Sequence, residues 1–274
     1  MNKDTAKDNE QEQKKIDDRM ALIERTILVL SGKGGVGKST VAVNLAASLA
    51  KEGSRVGLLD VDIHGPSIPG MLGLEGYQAF YSGSAILPME FTPNLLIMSI
   101  GFLLQDKNDA VIWRGPMKYH VIRQFIGDVE WGNLDYLIVD CPPGTGDEPL
   151  SVAQLVGGSK ASAVVVTTPQ RVSIDDVRKS VQFCNKLKLD IEGVIENMSG
   201  FVCPECGTVS DIFDSGGGEQ LAHDAGIVFL GKIPIEPAIV KACDSGKPYV
   251  LHGDDSETSQ RFMSIAKTLQ SKDA

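Results

Sequence analysis

The segment Ser31-Gly-Lys-Gly-Gly-Val-Gly-Lys-Ser-Thr40 lies between the apolar run Thr26–Leu30 and a helix-forming stretch. It fits the phosphate-loop pattern G-x-x-x-x-G-K-S, and a strand before it with a helix after it is the context that this pattern requires. Glycines let successive backbone N–H groups surround phosphates, Lys38 reaches the β- and γ-phosphates, and Ser39 can ligate Mg²⁺. A glycine-rich turn without a ligand is the alternative. The residues predicted to bind nucleotide are Gly32, Lys33, Gly34, Gly35, Val36, Gly37, Lys38, Ser39 and Thr40.

On both sides of this loop the chain alternates short apolar runs with amphipathic stretches, which is the pattern of β-α-β units. We predict an α/β fold with one doubly wound, mostly parallel sheet of about seven strands and helices on both faces. The predicted strands are Thr26–Leu30, Arg55–Asp60, Leu95–Ser99, Tyr136–Asp140, Ala163–Thr167, Ile191–Asn197 and Ile227–Leu230. The predicted helices are Lys38–Lys51, Met117–Gly127, Glu148–Val156, Ile174–Leu187, Gly217–Ala225, Pro237–Ser245 and Glu257–Gln270. Residues 21–274 are predicted to form a single domain.

The N-terminal residues 1–20 carry five basic and six acidic side chains and almost no apolar ones. Such a segment buries too little surface to offset its chain entropy, so we expect a disordered or frayed leader. It also lacks the apolar core of a signal peptide, which favours a cytoplasmic protein. The net charge of the 274 residues is -10, so neither nucleic acid nor a membrane is expected as a partner.

A phosphate loop needs acidic partners at the carboxyl ends of neighbouring strands. Asp140 ends the apolar run Tyr136–Asp140 and begins Asp140-Cys-Pro-Pro-Gly-Thr-Gly-Asp147. This arrangement is typical of a Walker B aspartate, and we predict that Asp140 contacts Mg²⁺ through water. Gly144 in the same loop is predicted to offer its N–H to the γ-phosphate.

A second acidic segment is Asp60-Val-Asp-Ile-His-Gly-Pro-Ser67. We predict that Asp62 positions the hydrolytic water, with a turn-forming aspartate before Gly-Pro as the alternative. Asp60 and His64 are interpreted as structural residues rather than ligands.

The cysteine pair Cys203-Pro-Glu-Cys206 has a spacing that lets two thiolates grip one metal centre. A redox dithiol, half of a zinc site and an unoccupied turn are the alternatives. The pair is followed by Gly207-Thr-Val-Ser-Asp-Ile-Phe213, which predicts a short hairpin that contains the CxxC pair at about 199–213. A redox dithiol usually opens a helix instead, so zinc or iron-sulfur is favoured. Tetrathiolate coordination needs four sulfurs, so two chains would complete a site on a twofold axis. The cysteines interpreted as packing residues are Cys141, Cys184 and Cys243.

The phosphate loop has an additional early lysine, and its segment Lys33-Gly-Gly-Val-Gly-Lys38-Ser-Thr40 resembles the deviant Walker A of the MinD/ParA superclass. In those proteins the early lysine crosses a dimer interface to the partner's nucleotide. The resemblance therefore implies that Lys33 acts in catalysis together with Lys38 and Asp62, and a solvated loop lysine is the alternative. It also implies that Asn197 reads the adenine and that a loop with Pro234 covers the base. An Asn amide can pair with the amino group and N7 of adenine, which favours ATP over GTP, and a loop-capping amide is the alternative.

Four motifs in order resemble those of the Mrp/ApbC iron-sulfur cluster carrier ATPases. They are the deviant phosphate loop, Asp60-x-Asp62-Ile-x-Gly-Pro-Ser67, Asp140-x-Pro-Pro-Gly-Thr-Gly-Asp147 and Glu196-Asn-Met-Ser-x-Phe-x-Cys-Pro-x-Cys206. The resemblance implies slow hydrolysis of ATP with Mg²⁺, a homodimer whose Cys203 and Cys206 pairs bridge a labile [4Fe-4S] cluster, and delivery of that cluster to apoproteins.

Three other protein classes share part of this pattern. A spatial organiser of the MinD or ParA kind needs a basic tail or face, whereas the last predicted helix has an apolar stripe suited to packing on the sheet. That stripe contains Phe262, Ile265, Ala266 and Leu269. A nitrogenase-type reductase takes its cluster ligands from separated single cysteines rather than from a CxxC pair. An ATPase with a structural zinc clamp at the dimer interface stays open, because zinc and iron-sulfur share thiolate ligands.

Overall fold

The computed structural model describes residues 3–103, 115–156, 160–203, 205–206, 208–252 and 256–271. The strands are β1 Ile23–Leu30, β2 Val56–Asp60, β3 Phe80–Ser82, β4 Ala85–Leu87, β5 Met89–Thr92, β6 Leu95–Ser99, β7 Leu134–Asp140, β8 Ala161–Thr167, β9 Asp190–Val202, β10 Val209–Ser210 and β11 Phe229–Ile235. The helices are α1 Lys3–Ala21, α2 Lys38–Lys51, α3 Ile68–Met71, α4 Gly115–Asp128, α5 Asp147–Val156, α6 Arg171–Leu187, α7 Gly217–Ala225, α8 Pro237–Asp244, α9 Tyr249–His252 and α10 Glu257–Gln270, with a 3₁₀ turn at Ile100–Leu103.

The central sheet has nine strands in the described ranges, in the order β10-β9-β8-β1-β7-β2-β6-β5, with β11 paired to β9 as well. All pairs are parallel except β10 with β9 and β5 with β6. The predicted fold class, a doubly wound and mostly parallel sheet, is confirmed. The strand count exceeds the predicted seven because β5 and β10 add short edge strands, which are too short and too polar to give a buried-strand signal.

The inner strands are buried on both faces because helices cover both sides of the sheet. Every residue of β2 and β8 is buried, and so are all residues of β7 except Asp135. The apolar stripe of α10 is 0–1% exposed and packs towards α2 and β11. This packing agrees with the interpretation of α10 as a sheet-covering helix.

The N-terminal segment differs from the expected disordered or frayed leader, because the structure has helix α1 there. Ile16 is 1% exposed, and a Cβ placed on Gly127 of α4 would lie only 3.1 Å from Ile16 Cγ1. Lys15 forms an ion pair with Asp128 at 2.5 Å. The buried Ile16, the partly buried Met20 and ion pairs that include Lys15–Asp128 and Arg19–Glu130 therefore hold this helix on the fold.

The parallel register brings the carboxyl ends of the central strands to one edge of the sheet. Asp140 at the end of β7 lies opposite Val29 of β1 on one side and Asp60 of β2 on the other. In open α/β sheets, ligands bind in the crevice beyond these ends. The loops after β1, β2 and β7 therefore form the candidate site, together with Asn197 inside β9.

Candidate functional site

The loop between β1 and α2 surrounds a cavity of about 210 Å³. Gly35 and Gly37 have φ of 79° and 77°, a left-handed conformation that favours glycine. The cavity is lined by Ser31, Lys33, Gly34, Gly35, Val36, Gly37, Lys38, Ser39, Thr40, Asp62, Ser67, Met71 and Pro143. It contains every predicted loop residue except Gly32, which packs so closely on the Asp176 backbone of α6 that a Cβ would overlap it. Sequence reasoning missed Met71, whose short helix α3 gave no periodic signal.

Lys38, which lines the cavity, forms a buried ion pair with Asp140, and the two side chains are 7% and 0% exposed. Oδ1 of Asp140 accepts a hydrogen bond from Lys38 Nζ. The buried Oδ2 has no hydrogen-bond partner in the described part of the chain. Burial raises the pKa of Asp140 above its ordinary value, and the charge of Lys38 opposes that rise. A buried carboxylate oxygen without a partner is suited to a ligand that brings its own positive charge or water.

Asp60 lies beside Asp140 and is structural, as the sequence interpretation has it. Its carboxylate accepts hydrogen bonds from the backbone N–H of Asp62 at 3.1 Å and from the hydroxyl of Ser99 at 2.9 Å. Burial and then the neighbouring charge of Asp140 raise the pKa of Asp60 to about 8, because two adjacent buried carboxyl groups cannot both ionise easily. Asp60 therefore shapes the loop that carries Asp62.

The Asp62 side chain lines the cavity, where it accepts a hydrogen bond from the backbone N–H of His64 at 3.2 Å. His64 is an exposed residue whose Nε2 lies 3.5 Å from Glu148 Oε1. This contact joins the loop after β2 to the start of α5, so His64 is a surface loop residue, as interpreted from the sequence.

Gly144 occupies the loop after β7 with φ of 87°. Its N–H donates to the carbonyl of Ser31 at 2.9 Å. The predicted contact with a γ-phosphate therefore requires this bond to break.

Asn197 is 7% exposed, and its Nδ2 donates to the carbonyl of Val36 at 2.8 Å. The side chain packs so closely on the loop that a Cβ at Gly37 would overlap Nδ2. The amide thus caps the phosphate loop, and the adenine-reading role remains a prediction. Pro234 lies inside β11 rather than in the expected loop, at a register irregularity between Ile233 and Ile235 that accommodates its missing N–H.

Lys33 is half-buried and lines the rim of the cavity. Within the described ranges no acidic side chain forms an ion pair with it.

The cysteine pair sits in the turn between β9 and β10, which form an antiparallel hairpin. The backbone N–H of Cys203 donates to the carbonyl of Thr208 at 3.0 Å, and Cys206 is exposed. The Cys206 thiol lies in hydrogen-bond contact with the Thr208 hydroxyl at 3.2 Å. This contact and a hydrogen bond with the Thr208 backbone lower the pKa of the Cys206 thiol. A lowered pKa favours the thiolate, which is the metal-ligating form.

The other three cysteines behave differently. Cys141, Cys184 and Cys243 are all buried. Burial raises the pKa of each of these thiols. Their interpretation as packing residues is confirmed. In the described part of the chain, no three His, Cys, Asp or Glu side chains gather into one metal site.

Comparison with known proteins assigns the family. A family model described as NUBPL iron-transfer P-loop NTPase matches residues 22–270. The chain belongs to this family. The iron-sulfur cluster carrier protein of Methanocaldococcus jannaschii is 49% identical over 269 residues, which cover 98% of this chain and 92% of that protein. The cytosolic Fe-S cluster assembly factor NUBP1 homolog of Caenorhabditis elegans is 48% identical over 94% of this chain and 84% of that protein.

Solved structures agree with this family. A nucleotide-binding protein from Archaeoglobus fulgidus in complex with ADP superposes with a TM-score of 0.76 at 39% identity and covers 86% of this chain and 92% of that one. The Pyrococcus furiosus cell division ATPase MinD gives a TM-score of 0.67 at 21% identity, over 91% of this chain and 99% of that one. The MinD likeness shows a shared fold alone. The resemblance to iron-sulfur cluster carriers with a MinD/ParA-like fold is confirmed, and the iron-transfer P-loop NTPase family makes nucleotide binding the expected use of the cavity.

None of the helices in the described ranges combines the length and apolar character needed to cross a bilayer.

Proposed function

We propose that this protein is a cytoplasmic, ATP-hydrolysing iron-sulfur cluster carrier that holds a labile [4Fe-4S] cluster across a homodimer and passes it to apoproteins. The observation that carries the proposal is the CxxC turn on β9, the same strand whose Asn197 touches the phosphate loop. One continuous strand thus joins a nucleotide cavity to a pair of accessible thiols.

The residues around the cavity fit ATP and Mg²⁺. The loop N–H groups and the N-terminus of α2 suit phosphates, and Lys38 lies at the cavity floor. The unpartnered Oδ2 of Asp140 and the hydroxyl of Ser39 suit Mg²⁺, with Asp140 acting through water. Bound Mg²⁺ supplies charge neutralisation at the phosphates. Asp62 lines the same cavity and would orient the attacking water.

The cargo site draws on two chains. Each chain offers Cys203 and Cys206 in an accessible turn, whereas its other cysteines are buried in the core. A tetrathiolate cluster site therefore needs a second copy on a twofold axis. Such a site would be built from one surface turn of each chain. Acceptor proteins could reach it, which suits a cluster that is transferred.

Anaerobic iron-sulfide reconstitution tests this proposal, with Fe, sulfide and Zn measured per chain. We expect about two Fe and about two sulfides per chain, since two chains share one cluster. Cys203→Ser removes one of the two ligands that each chain supplies, so the broad visible absorbance is lost. Cys243→Ala is the matched control, because that cysteine is buried elsewhere, and it keeps the cluster.

Two results contradict the proposal. Zinc that resists replacement by iron would indicate a structural clamp at the same cysteines. Full iron content in Cys203→Ser would place the cluster at another site. Transfer is measured separately, as activation of an apo [4Fe-4S] enzyme by the loaded protein with ATP, with ADP and without nucleotide.

A further inference from the structure

Glu196 is a fully buried carboxylate in β9, one residue before Asn197. Its Oε1 accepts hydrogen bonds from the hydroxyl of Ser199 at 2.5 Å and from the N–H of Gly216 at 2.9 Å. Its Oε2 accepts from the N–H of Gly218 at 2.5 Å. The carboxylate therefore caps the N-terminus of α7 from a neighbouring strand, where negative charge is stabilised by the helix dipole.

The triple glycine at 216–218 is what allows this approach. Gly216 has φ of 88°, and a Cβ on Gly218 would lie 2.9 Å from Thr167 Cγ2 and 3.1 Å from Glu196 Oε2. Helix α7 has no side-chain cap of its own. The hydroxyl of Ser215 instead lies 3.2 Å from that of Ser199.

The strand changes direction beside this carboxylate. Met198 has φ of 57° and Gly200 has φ of 76°, a left-handed conformation that is unfavourable for a non-glycine residue such as Met198. On one side of Met198, Asn197 bonds to the phosphate loop. On the other side, Ser199 bonds to Glu196, and Val202 pairs with Val209 in the cysteine hairpin.

We propose that Glu196 is a positioning residue that couples the phosphate loop to the cysteine hairpin. It holds the segment Asn197–Ser199 against the N-terminal end of α7, so a displacement of the phosphate loop is transmitted along β9 rather than absorbed at Met198. The inference rests on the proposed function for its biological meaning, but the coupling is a property of the cluster-free protein. Its failure can therefore be told apart from failure to carry a cluster.

The test measures alkylation of Cys206 in cluster-free protein, with and without a non-hydrolysable Mg-ATP analogue. We expect the analogue to change the alkylation rate at least about fivefold in the native protein, which is the lower range of typical coupling. Glu196→Gln replaces one acceptor oxygen by an NH₂ donor that faces a backbone N–H. We expect the effect of the analogue on the alkylation rate to fall to less than about twofold, while the Kd for the analogue stays within about threefold of the native value. Glu192→Gln is the matched control, since Glu192 lies in the same strand but binds Arg25 at 2.7 Å at the other end of it. We expect the Glu192→Gln protein to keep the full effect of nucleotide on the alkylation rate.

Three outcomes overturn the proposal: a native protein without a nucleotide effect, a full effect in Glu196→Gln, or an equal loss in Glu192→Gln. Ser199→Ala provides a milder second variant should Glu196→Gln not fold. It removes one hydrogen bond to the carboxylate without changing charge, and an undiminished nucleotide effect in it also contradicts the proposal. Iron content after reconstitution is measured on the same variants. Normal iron with lost coupling in Glu196→Gln supports the positioning role, whereas absent iron in the native protein contradicts only the carrier function.

Discussion

Asn197 has two possible tasks that a nucleotide titration can separate. Its amide caps the phosphate loop through Val36, and its predicted task is to read adenine. We expect Asn197→Ala to weaken ATP binding about tenfold or more, since a hydrogen bond and a buried partner are lost, and to reduce the preference for ATP over GTP. Calorimetric Kd values for both nucleotides check this. An equal loss for ATP and GTP would leave the loop cap as its role and contradict base reading.

At this scale the sequence predicts residues whose chemistry depends on local spacing. The loop glycines, Lys38 and the cysteine pair are recognisable because each acts together with near neighbours in the chain. Glu196 is different, because its hydrogen-bond donors at Gly216 and Gly218 lie some twenty positions away. The pairing of a buried carboxylate with a distant helix N-terminus leaves no local pattern in the sequence. The contacts of Glu196 are therefore visible only in the folded structure.

Among the elements, α1 is the one whose docking contradicts the composition of its segment, and a single side chain tests it. Ile16 is 1% exposed against α4. We expect Ile16→Ala to lower the free energy of unfolding by about 2–5 kcal/mol, the usual result of deleting buried methyl groups. Lys14→Ala, at an exposed position of the same helix, changes it by less than about 0.5 kcal/mol. Urea denaturation measures both variants. An unchanged midpoint in Ile16→Ala would contradict the docking of α1 and support a frayed leader.

The elements that the sequence predicts well are those with long periodic or apolar patterns. Helices α2, α7 and α10 and strand β6 have the predicted bounds. Strands β3, β4 and β5 were missed because strands of three or four residues follow their neighbours rather than a pattern of their own, whereas β10 belongs to the hairpin that the sequence predicts at about 199–213. The sequence analysis ends one strand at Asn197 and begins a separate hairpin at about residue 199, whereas β9 continues through the left-handed residues Met198 and Gly200 into that hairpin.

For the whole molecule, the question is whether the site is complete in one chain. Lys38 reaches the cavity floor of its own chain, whereas Lys33 lies at the rim and is predicted to act on the partner's nucleotide. We expect Lys33→Ala and Lys38→Ala each to slow ATP hydrolysis about a hundredfold. An equimolar mixture should recover activity, because in a mixed dimer the Lys38→Ala chain supplies Lys33 to ATP held by the other chain. Phosphate release is measured against each variant alone at the same total concentration. Light scattering checks in parallel that dimers form with ATP. If dimers form but the mixture is as inactive as its components, Lys33 acts within its own chain. If no dimers form with ATP, the shared cluster site itself is contradicted.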